Sequence, residues 1–459
     1  MLIFVSPAHS GAVVRLGRRR VITGTEIPLG EHTVPPIVAV IGIDDTDSRE
    51  RGMCTTYIAD EVARRLVATG ADVERVLLVR CNPAVEHKTR GNAALAVHAD
   101  ADPGTAVGIA TDVVGSAAET ADERTNPGVV VAGGAPNAVP EDVAEFARRA
   151  VDDHHTRGAA VRLAERVGYR VESWKNGRGV IGALAAVGAW RAIEEWTYEH
   201  VTYRTPDRWG TERDVDPASV FEAAGESYPT VWDTVDREAG EAVCVPRTPG
   251  PLLYGIRGDD PGTCQSVADH IESEPVARAR TFTTNQGTDA HLREGTVSSV
   301  REGRSYRLDG AVASAPETRR GGHVFFGFAG EDGKLQCAAF EPTKRFRDRV
   351  RRLRAGDRLT VCGEVESGSL KLEKFAIREL RRVETVTPTC PDCGRTMESA
   401  GRGQGYRCRD CGTAADGKVE RSLDRALDVG WYEVPPRARR HISKPLVRGG
   451  FDAPTHPET

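Results

Sequence analysis

Two Cys-X-X-Cys pairs near the end of the chain constrain its fold more than any other feature. Cys390 and Cys393 are separated by fourteen residues from Cys408 and Cys411, and a glycine follows the second cysteine of each pair. Four thiolates at this spacing are the ligand set of a closed, tetrahedral zinc site, which folds a module without catalysing. The alternatives are two disulfides, which need an oxidising compartment, and a redox dithiol, which would not come twice. The spacing predicts structural Zn²⁺.

Length and composition bound the class of protein. The chain has 459 residues, of which 39% are hydrophobic and 28% charged, so roughly three or four globular domains are expected. No apolar run approaches the roughly 18–20 residues that a membrane helix needs. The apolar start at residues 1–5 is too short for a signal peptide. We therefore expect a cytoplasmic protein with no membrane segment, and nothing implies an obligate protein partner.

Charge is distributed unevenly along the chain. Residues 297–459 carry 31 Lys and Arg against 23 Asp and Glu, a net charge of +8, whereas residues 1–296 carry 31 against 44, a net charge of −13. A basic segment on an acidic chain is typical of a protein that binds a polyanion. A solvated basic face explains the same counts, so charge alone does not decide between the two.

Helical and strand patterns alternate in the first 283 residues, which predicts α/β structure. Residues 1–36 lack a periodic pattern and are expected to lie outside the fold as an extension. An α/β domain is predicted over residues 37–165, with strands at 37–43, 76–79 and 93–97 and helices at 55–69 and 140–155. A second α/β domain is predicted over residues 166–283, with strands at 169–174 and 197–204 around a helix at 182–190.

Short β runs follow, and they predict a barrel over residues 284–385. The five strands are expected at residues 308–314, 323–328, 335–340, 358–365 and 370–377, with a basic helix at 344–354 between the third and fourth. Five strands with a helix in this position are the pattern of an OB-fold, a barrel that binds oligonucleotides. Residues 386–459 then contain the zinc ribbon and a basic tail.

Three aspartates at the end of the first predicted strand form the first candidate site. Asp44, Asp45 and Asp47 lie within four residues, just before the helix predicted from Thr55. Carboxylates this close repel each other unless a cation joins them, and hard oxygen ligands favour Mg²⁺. The carboxyl end of a strand in an α/β sheet is also where ligands bind. A solvated Asp-rich turn that caps the helix is the alternative.

Two later loops share a chemistry suited to phosphate. Each places a lysine and an arginine beside glycine, so that cationic side chains and backbone N–H groups can meet phosphate oxygens. The first contains Lys88, Arg90, Gly91 and Asn92, and the second contains Lys175, Asn176, Gly177, Arg178 and Gly179. Either loop alone is as well explained by a surface turn. Together with the aspartates they favour a Mg²⁺–ATP site without a P-loop.

The second loop also allows a different interpretation. Gly177, Gly179 and Gly182 spell GxGxxG between a predicted strand and helix, and Glu199 follows about twenty residues later, which is the spacing of a dinucleotide-binding fingerprint. However, the fingerprint needs an acidic residue near the end of the strand, and Glu199 lies near the start of its strand. A nicotinamide site is therefore the weaker hypothesis.

Nine motifs in the same order resemble one family, the archaeal ATP-dependent tRNA 2-agmatinylcytidine synthetases. The resemblance covers residues 37 to about 450 and excludes the first 36. Its motifs are IGIDDTDSRERGMCTTYIAD (41–60), RCNPAVEHKTRGN (80–92), DERTNPG (122–128), KNGRGVIGALAAVG (175–188), TYEHVTYR (197–204), LLYGIRGD (252–259), TNQGTD (284–289), the CPDCG/CRDCG pair and RARRHISKP (437–445).

The resemblance implies a fold and a reaction. It implies a kinase-like and a ferredoxin-like domain, followed by the OB-fold and the zinc ribbon. Members use ATP to activate the C2 oxygen of the wobble cytidine in the isoleucine tRNA with a CAU anticodon; agmatine then displaces that oxygen, ATP ends as AMP and phosphate, and the tRNA reads AUA. It further implies that Asp44, Asp45 and Asp47 bind Mg²⁺ or supply a base, and that Thr55 is phosphorylated during ATP cleavage.

A cytidine must be unstacked before an enzyme can reach it, so the protein is expected to bind other parts of the tRNA as well. Phe325, Phe326 and Phe328 are candidate stacking residues, although alternate members of a strand face the core. Candidate phosphate contacts are Arg345, Arg347, Arg437, Arg439, Arg440, Lys444 and Arg448. The sequence does not identify the carboxylates that bind agmatine. A non-catalytic nucleic-acid-binding protein with an OB-fold and a ribbon is the competing hypothesis.

Overall fold

Two large sheets organise the chain. A computed structural model describes residues 38–88 and 91–459. The extension predicted over residues 1–36, the first residue of the predicted strand, Ile37, and the predicted phosphate ligand Arg90 lie outside the described residues. No helix within those residues is long and apolar enough to cross a membrane.

Five strands of the first sheet come from the first 192 residues. The elements are β1 (Ala39–Asp44), α1 (Thr55–Ala68), β2 (Val73–Arg80), β3 (Ala93–Ala99), α2 (Pro103–Ala117), β4 (Gly128–Gly133), α3 (Glu141–Asp152), α4 (Arg157–Arg166), β5 (Arg170–Ser173) and α5 (Val180–Ala192). The strands lie antiparallel in the order β5-β4-β1-β3-β2. Alternate residues of each strand face opposite sides, so α1 and α2 cover one face and α3, α4 and α5 the other.

Four more strands extend the same sheet. The elements are β6 (Thr197–Arg204), α6 (Pro217–Ser227), β7 (Val231–Trp232), β8 (Val235–Asp236), β9 (Glu241–Ala242), β10 (Leu252–Gly258), α7 (Pro261–His270) and β11 (Val276–Thr284). The order continues β2-β11-β6-β10-β7, while β8 and β9 pair separately. The two halves join where β2 runs parallel to β11, with Leu77 opposite Thr283 and Leu78 opposite Thr284.

The join between these halves lies later in the chain than the boundary predicted near residue 165. β5 pairs with β4 over four residue pairs, and α5 packs in one core with β1 and β4. Both elements therefore belong with the first five strands. The chain passes from one half to the other in the short loop at residues 193–196.

This topology contradicts the dinucleotide-binding hypothesis. Such a site needs a glycine-rich turn between a strand and a helix that leads into a neighbouring parallel strand. Here the turn at residues 177–182 follows β5, an antiparallel strand at the edge of the sheet, and the next strand, β6, lies beyond β11 on the far side.

The five predicted barrel strands are confirmed. The elements are β12 (Leu292–Glu294), β13 (Arg304–Val312), β14 (Glu317–Thr318), β15 (Val324–Ala329), β16 (Lys334–Ala339), α8 (Phe346–Arg351), β17 (Arg358–Glu366) and β18 (Ser369–Glu379). Pairing runs from β13 through β15, β16, β18 and β17 back to β13, which closes the barrel. The helix α8 is shorter than predicted and follows a 3-10 turn at Glu341–Thr343.

The C-terminal elements branch from this barrel and return to it. They are β19 (Val383–Val386), β20 (Glu398–Ser399), β21 (Tyr406–Arg407), β22 (Ala414–Ala415), β23 (Val419–Ser422), β24 (Gly430–Glu433) and β25 (Thr455–His456). β19 and β23 form a stem below the small sheet β20-β21-β22, and β24 pairs with β18. Arg425 anchors the returning chain through a fully buried ion pair with Asp357.

Glycines let α5 lie unusually close to β1 and β4. A Cβ at Gly42 on β1 would lie 2.0 Å from the carbonyl oxygen of Ala183, and one at Gly182 would lie 2.0 Å from Asp44 Oδ2. A Cβ at Gly128 on β4 would lie 2.1 Å from the backbone nitrogen of Val180. Because backbone atoms are the main obstacles, a larger side chain could be accepted only by moving the helix.

Gly42→Ala should therefore lower the free energy of unfolding by about 1–3 kcal/mol or more, the usual cost of overpacking a core. Gly108→Ala is the matched control, because this residue of α2 is exposed and a Cβ there meets nothing within 4 Å. The control should be neutral or stabilising by less than about 1 kcal/mol, since alanine favours helix. Denaturant unfolding of both variants checks this, and equal midpoints would contradict the close packing.

Candidate active site

A cavity of about 800 Å³ lies between the two halves of the large sheet. The lining includes Asp44, Asp45, Asp47 and Thr55 from the first candidate site, Lys88, Gly91 and Asn92 from the first loop, and Arg178 from the second. Segments far apart in sequence are thus brought to one place. Lys175, Asn176, Gly177 and Gly179 do not line the cavity.

The aspartates enter this cavity at the end of β1. Burial, followed by the charge of Asp45, raises the pKa of Asp44 well above its usual value. Burial also raises the pKa of Asp45 to about 6, although Arg178 opposes that shift. Asp45 Oδ2 accepts a hydrogen bond of 2.7 Å from Arg178. Asp45 also has a φ of +58°, a conformation that costs free energy in a residue other than glycine and is concentrated at functional sites.

Thr55 is the first residue of α1 and is buried at the cavity wall. Its hydroxyl oxygen accepts a 3.0 Å hydrogen bond from the hydroxyl of Thr46, which lies between the aspartates in sequence. The N-terminus of a helix carries partial positive charge and unpaired backbone N–H groups, which favour anions such as phosphate. Thr55 therefore stands where a phosphoryl group and the carboxylate loop can both be reached.

The three aspartates do not form a ready-made metal site. In the part of the chain that the structure describes, only one group of three or more His, Cys, Asp or Glu ligand atoms lies within 4.8 Å of one another, and that group is the four ribbon cysteines. Asp45 is directed instead toward Arg178. Mg²⁺ binding by Asp44, Asp45 and Asp47 therefore stays a prediction.

Of the five predicted residues in the second loop, Arg178 alone lines the cavity, and the other four shape the turn. Asn176 Oδ1 accepts a 2.9 Å hydrogen bond from the Arg178 backbone, and Lys175 Nζ donates one of 2.5 Å to the Asp122 carbonyl. A Cβ at Gly179 would lie 2.5 Å from the Gly128 nitrogen. The side chains of Lys175 and Asn176 and the close contact at Gly179 are thus engaged within the protein, and phosphate binding by this loop stays a prediction.

In the first loop, the side chains of Lys88 and Asn92 line the cavity and also donate hydrogen bonds to nearby backbone carbonyls. Lys88 Nζ donates a hydrogen bond to the Pro83 carbonyl, and Asn92 Nδ2 donates one of 2.7 Å to the Asn82 carbonyl. Asn92 has a φ of +48°, so this turn, like the one at Asp45, is held in a conformation that surrounding contacts must enforce. Lys88 keeps a lowered pKa, first because of burial and then because of Arg440.

Several cavity residues were not predicted. Arg80, Glu199 and Arg257 form buried ion pairs in the cavity wall, and His441 reaches it from the C-terminal tail. Each lies in a motif that carried the family resemblance, but no local spacing links residues 80, 199, 257 and 441. The pairing of β2, β11, β6 and β10 brings the first three together, and the hydrogen bond from the Gly287 N–H to the His441 carbonyl brings the tail to them.

The ribbon cysteines fit a zinc ion. The Sγ–Sγ distances are 3.3 Å between Cys390 and Cys411, 3.4 Å between Cys393 and Cys408, and 3.9 Å between Cys393 and Cys411. Tetrahedral zinc with bonds of about 2.3 Å needs separations of about 3.8 Å. A disulfide would need about 2.05 Å. None of the four is joined in a disulfide, so the geometry favours one shared ion over two disulfides.

Two predicted tRNA contacts are corrected by the structure. Phe326 and Phe328 are 2% and 0% exposed inside the barrel, because alternate residues of β15 face its core. They cannot stack on a base. Phe325, between Val324 and Phe326, points outward, with the guanidinium of Arg319 4.2 Å from its ring centroid.

The predicted basic contacts all form ion pairs within the chain. Arg345 pairs with Asp236 and Arg347 with Glu341; in the tail, Arg437 pairs with Glu241, Arg439 with Asp233 and Glu433, Arg440 with Glu364 and Glu373, Lys444 with Glu195, and Arg448 with Asp259 and Glu195. Most of these pairs join the barrel or tail to the large sheet. Their role in RNA binding stays a prediction.

Family models match three segments of the chain. The TiaS TCKD domain matches residues 40–108, the TiaS FLD domain residues 177–291, and the TiaS C-terminal zinc ribbon domain residues 387–427. A relative from Haloquadratum walsbyi, named as TiaS, the 2-agmatinylcytidine synthetase of isoleucine tRNA 2, is 54% identical over 92% of this chain and 100% of its own length. A relative of the same name from Methanosarcina acetivorans is 45% identical over 89% and 97%.

The chain belongs to the TiaS family of tRNA 2-agmatinylcytidine synthetases. Solved structures of TiaS agree with this. A complex of TiaS with isoleucine tRNA 2 and ATP matches with a TM-score of 0.84 at 41% identity, over 92% of this chain and 100% of that one. A complex of TiaS with the same tRNA, AMPCPP and agmatine matches with a TM-score of 0.81 at 39% identity over the same shares. The resemblance stated from the motifs is thereby confirmed.

Metal analysis tests the zinc ligands. Purified protein should contain about one zinc ion per chain, and Cys390→Ser should lose it, because three thiolates and a hydroxyl hold zinc far more weakly than four thiolates. Cys337→Ser is the matched control, since Cys337 is buried in the barrel, away from the ribbon. Full zinc retention in Cys390→Ser would contradict the ligand assignment.

The raised pKa of Asp45 predicts a stability gain on substitution. Its pKa is near 3.8 when unfolded and about 6 when folded, so the folded state binds more protons between these values. Its contribution to stability is present below pH 3.8 and lost as pH rises through 6. Asp45→Asn should therefore raise the free energy of unfolding at pH 8 by about 1–3 kcal/mol, with a smaller gain at about pH 5.

Asp122→Asn is the matched control with the opposite sign. Hydrogen bonds, first from the Ser48 hydroxyl and next from the Arg124 backbone, lower the pKa of Asp122 to about 2. Its contribution to stability is present above pH 3.8 and lost as pH falls through 2, so the substitution should destabilise the protein at pH 8. Denaturant unfolding at about pH 5 and pH 8 compares the two variants. Destabilisation by Asp45→Asn at pH 8 would contradict the raised pKa of Asp45 in the folded protein.

Proposed function

We propose that this chain uses ATP to attach agmatine to C2 of the wobble cytidine in the isoleucine tRNA with a CAU anticodon. One observation carries the proposal: a single cavity gathers the aspartate loop, Thr55, the Lys88 loop and Arg178. These are the acidic, hydroxyl and cationic groups that phosphoryl transfer needs. The names of its relatives, and the isoleucine tRNA, ATP and agmatine in their complexes, support the same reaction.

The chemistry has two parts. The C2 oxygen of cytidine is a poor leaving group, so a phosphoryl group from ATP is first joined to it. The primary amine of agmatine then attacks C2 and forms the C–N bond, and the oxygen leaves with the phosphoryl group as phosphate. In total, cytidine, agmatine, ATP and one water give 2-agmatinylcytidine, AMP and two phosphates. The protein must mainly position these groups and neutralise charge.

The cavity residues divide this work. Arg178 and Lys88 supply cations for phosphate oxygens. Thr55, at the positive end of α1, accepts the second phosphoryl group from ATP, and the one water consumed then hydrolyses that phosphothreonine to the second phosphate. Asp44, Asp45 and Asp47 would hold Mg²⁺, which would neutralise the phosphate charge. Arg178 neutralises Asp45 at 2.7 Å, so the same guanidinium lies within the aspartate loop and beside the phosphate-binding side of the cavity. Burial raises the pKa of Asp44 well above its usual value, so a bound cation would favour the ionised form of this carboxyl.

The C-terminal half would hold the tRNA. The closed barrel has the strand order of an OB-fold, and the β6-α6-β7-β10-α7-β11 unit has the order expected of a ferredoxin-like domain. Phe325 with Arg319 forms an outward stacking surface on the barrel, and such aromatic–cation pairs suit unpaired bases. This surface replaces the buried Phe326 and Phe328 in the proposed contact set.

An activity assay tests the proposal. Pure protein with ATP, agmatine and the isoleucine tRNA should give AMP and modified cytidine. Asp45→Ala should lower product formation by more than about a hundredfold, because electrostatic stabilisation of phosphoryl transfer is lost, while tRNA binding changes less than about threefold. Glu420→Ala, an exposed carboxylate on β23 of the ribbon stem, is the control and should keep full activity.

Two results would contradict it. No AMP and no modified cytidine from wild-type protein would favour a non-catalytic nucleic-acid-binding protein. Full activity in Asp45→Ala would remove the aspartate loop from the reaction.

A further inference from the structure

The cavity lining also includes a second polar group, the wall of Arg80, Glu199 and Arg257, which Gln286 supports from behind. Glu199 lies 3.4 Å from Arg257 and 3.8 Å from Arg80. Gln286 bridges the group, because its amide donates a 2.6 Å hydrogen bond to Glu199 Oε2 and its oxygen accepts one of 3.3 Å from Arg80. Asn285 holds the Arg80 backbone with two hydrogen bonds. Asn285 Oδ1 accepts one from the Arg80 N–H, and Asn285 Nδ2 donates one to the Arg80 carbonyl.

The charges of this wall do not balance. Arg80 and Arg257 have side chains that are 11% and 8% exposed, and Glu199 is the only carboxylate that pairs with either among residues 38–88 and 91–459. Guanidinium groups stay protonated in proteins. One buried positive charge is therefore left over, and buried charge is costly unless something compensates it. Arg80 Nε is also buried without a hydrogen-bond partner among those residues.

His441 reports the same positive potential. It is the cavity-lining residue contributed by the C-terminal tail, which docks on the loop at residues 285–289 through the Gly287 N–H bond to the His441 carbonyl. Arg257, then burial, then Arg80 lower its pKa well below the usual value. Its Nδ1 is buried without a hydrogen-bond partner in the described part of the chain.

The cavity thus carries surplus guanidinium charge at Arg80 and Arg257, beside the carboxylates of the aspartate loop. We propose that Arg80 and Arg257 form an anion site that binds a phosphate group, in addition to the loops of Lys88 and Arg178. The planar guanidinium offers paired N–H donors that match phosphate oxygens. This inference rests on the proposed function, which supplies two phosphate sources: ATP and the RNA backbone beside the unstacked cytidine.

Two substitutions that change the charge of this wall in opposite directions distinguish an anion site from a purely structural network. Arg257→Met removes a cation and should weaken phosphate binding by about tenfold or more, the usual value of a charged hydrogen bond. Glu199→Gln removes the competing carboxylate and should tighten it by about fivefold or more, because the surplus positive charge rises. Damage to a structural network would weaken binding in both variants.

Binding is measured without turnover, with each phosphate source used alone as the probe. ATP affinity comes from calorimetry, and affinity for an isoleucine tRNA transcript comes from filter binding over a series of salt concentrations. Arg166→Met is the matched control, since Arg166 on α4 pairs with Asp142, has a side chain that is 61% exposed and does not line the cavity; it should change either affinity by less than about twofold. If Arg257→Met does not fold, the double variant Arg257→Met/Glu199→Gln, which removes a whole ion pair, takes its place and should bind no more tightly than wild type.

Each outcome decides a point. Opposite shifts in ATP affinity place a nucleotide phosphate at this wall. Opposite shifts in tRNA affinity, with a salt slope reduced by about 0.7 in Arg257→Met, place an RNA phosphate there. Unchanged affinities for both probes, or weakening by Glu199→Gln, overturn the anion site. An inactive wild-type protein overturns the proposed function instead, so the two failures are distinguishable.

Discussion

The close contact between α5 and β1 is the constraint on which the cavity depends. Gly42 and Gly182 remove the side chains that would separate these elements, and the helix therefore begins beside the end of the strand. That position buries Asp44 against the first turn of α5 and brings Arg178, just before the helix, to Asp45. The raised pKa values of both carboxyls follow from this one packing arrangement. A looser contact would leave two ordinary surface acids.

Local sequence pattern predicted single elements well. The strand at Thr197–Arg204 was predicted with its observed bounds, and all five barrel strands were found at nearly the right positions. The helices α2 and α4 and the strand β4 were not predicted; α2, rich in Ala, Gly and Val, has little contrast between its faces. The domain boundary at residue 165 stays a prediction; the pairing of β5 with β4 and of β2 with β11, which sequence pattern did not predict, joins residues that are distant in sequence.

The candidate site was predictable where one segment carries the chemistry, as in the aspartate loop and the cysteine pairs. The wall of Arg80, Glu199 and Arg257 was not, because each residue comes from a different strand and none is unusual in its own neighbourhood. Charge composition also misled: the basic residues of the C-terminal half suggested a free cationic surface, whereas many hold the tail and barrel to the large sheet. Composition counts charges but does not show which ones are already paired.

The position of His441 has a consequence for the order in which parts of the structure form during synthesis. Every other described residue that lines the cavity lies between Asp44 and Arg257. During synthesis the large sheet can therefore form while the ribbon is still being translated, but the cavity wall is completed only when the segment around His441, which follows the ribbon, docks on the loop at residues 285–289. A nascent or truncated chain has the aspartates and lacks the closing wall.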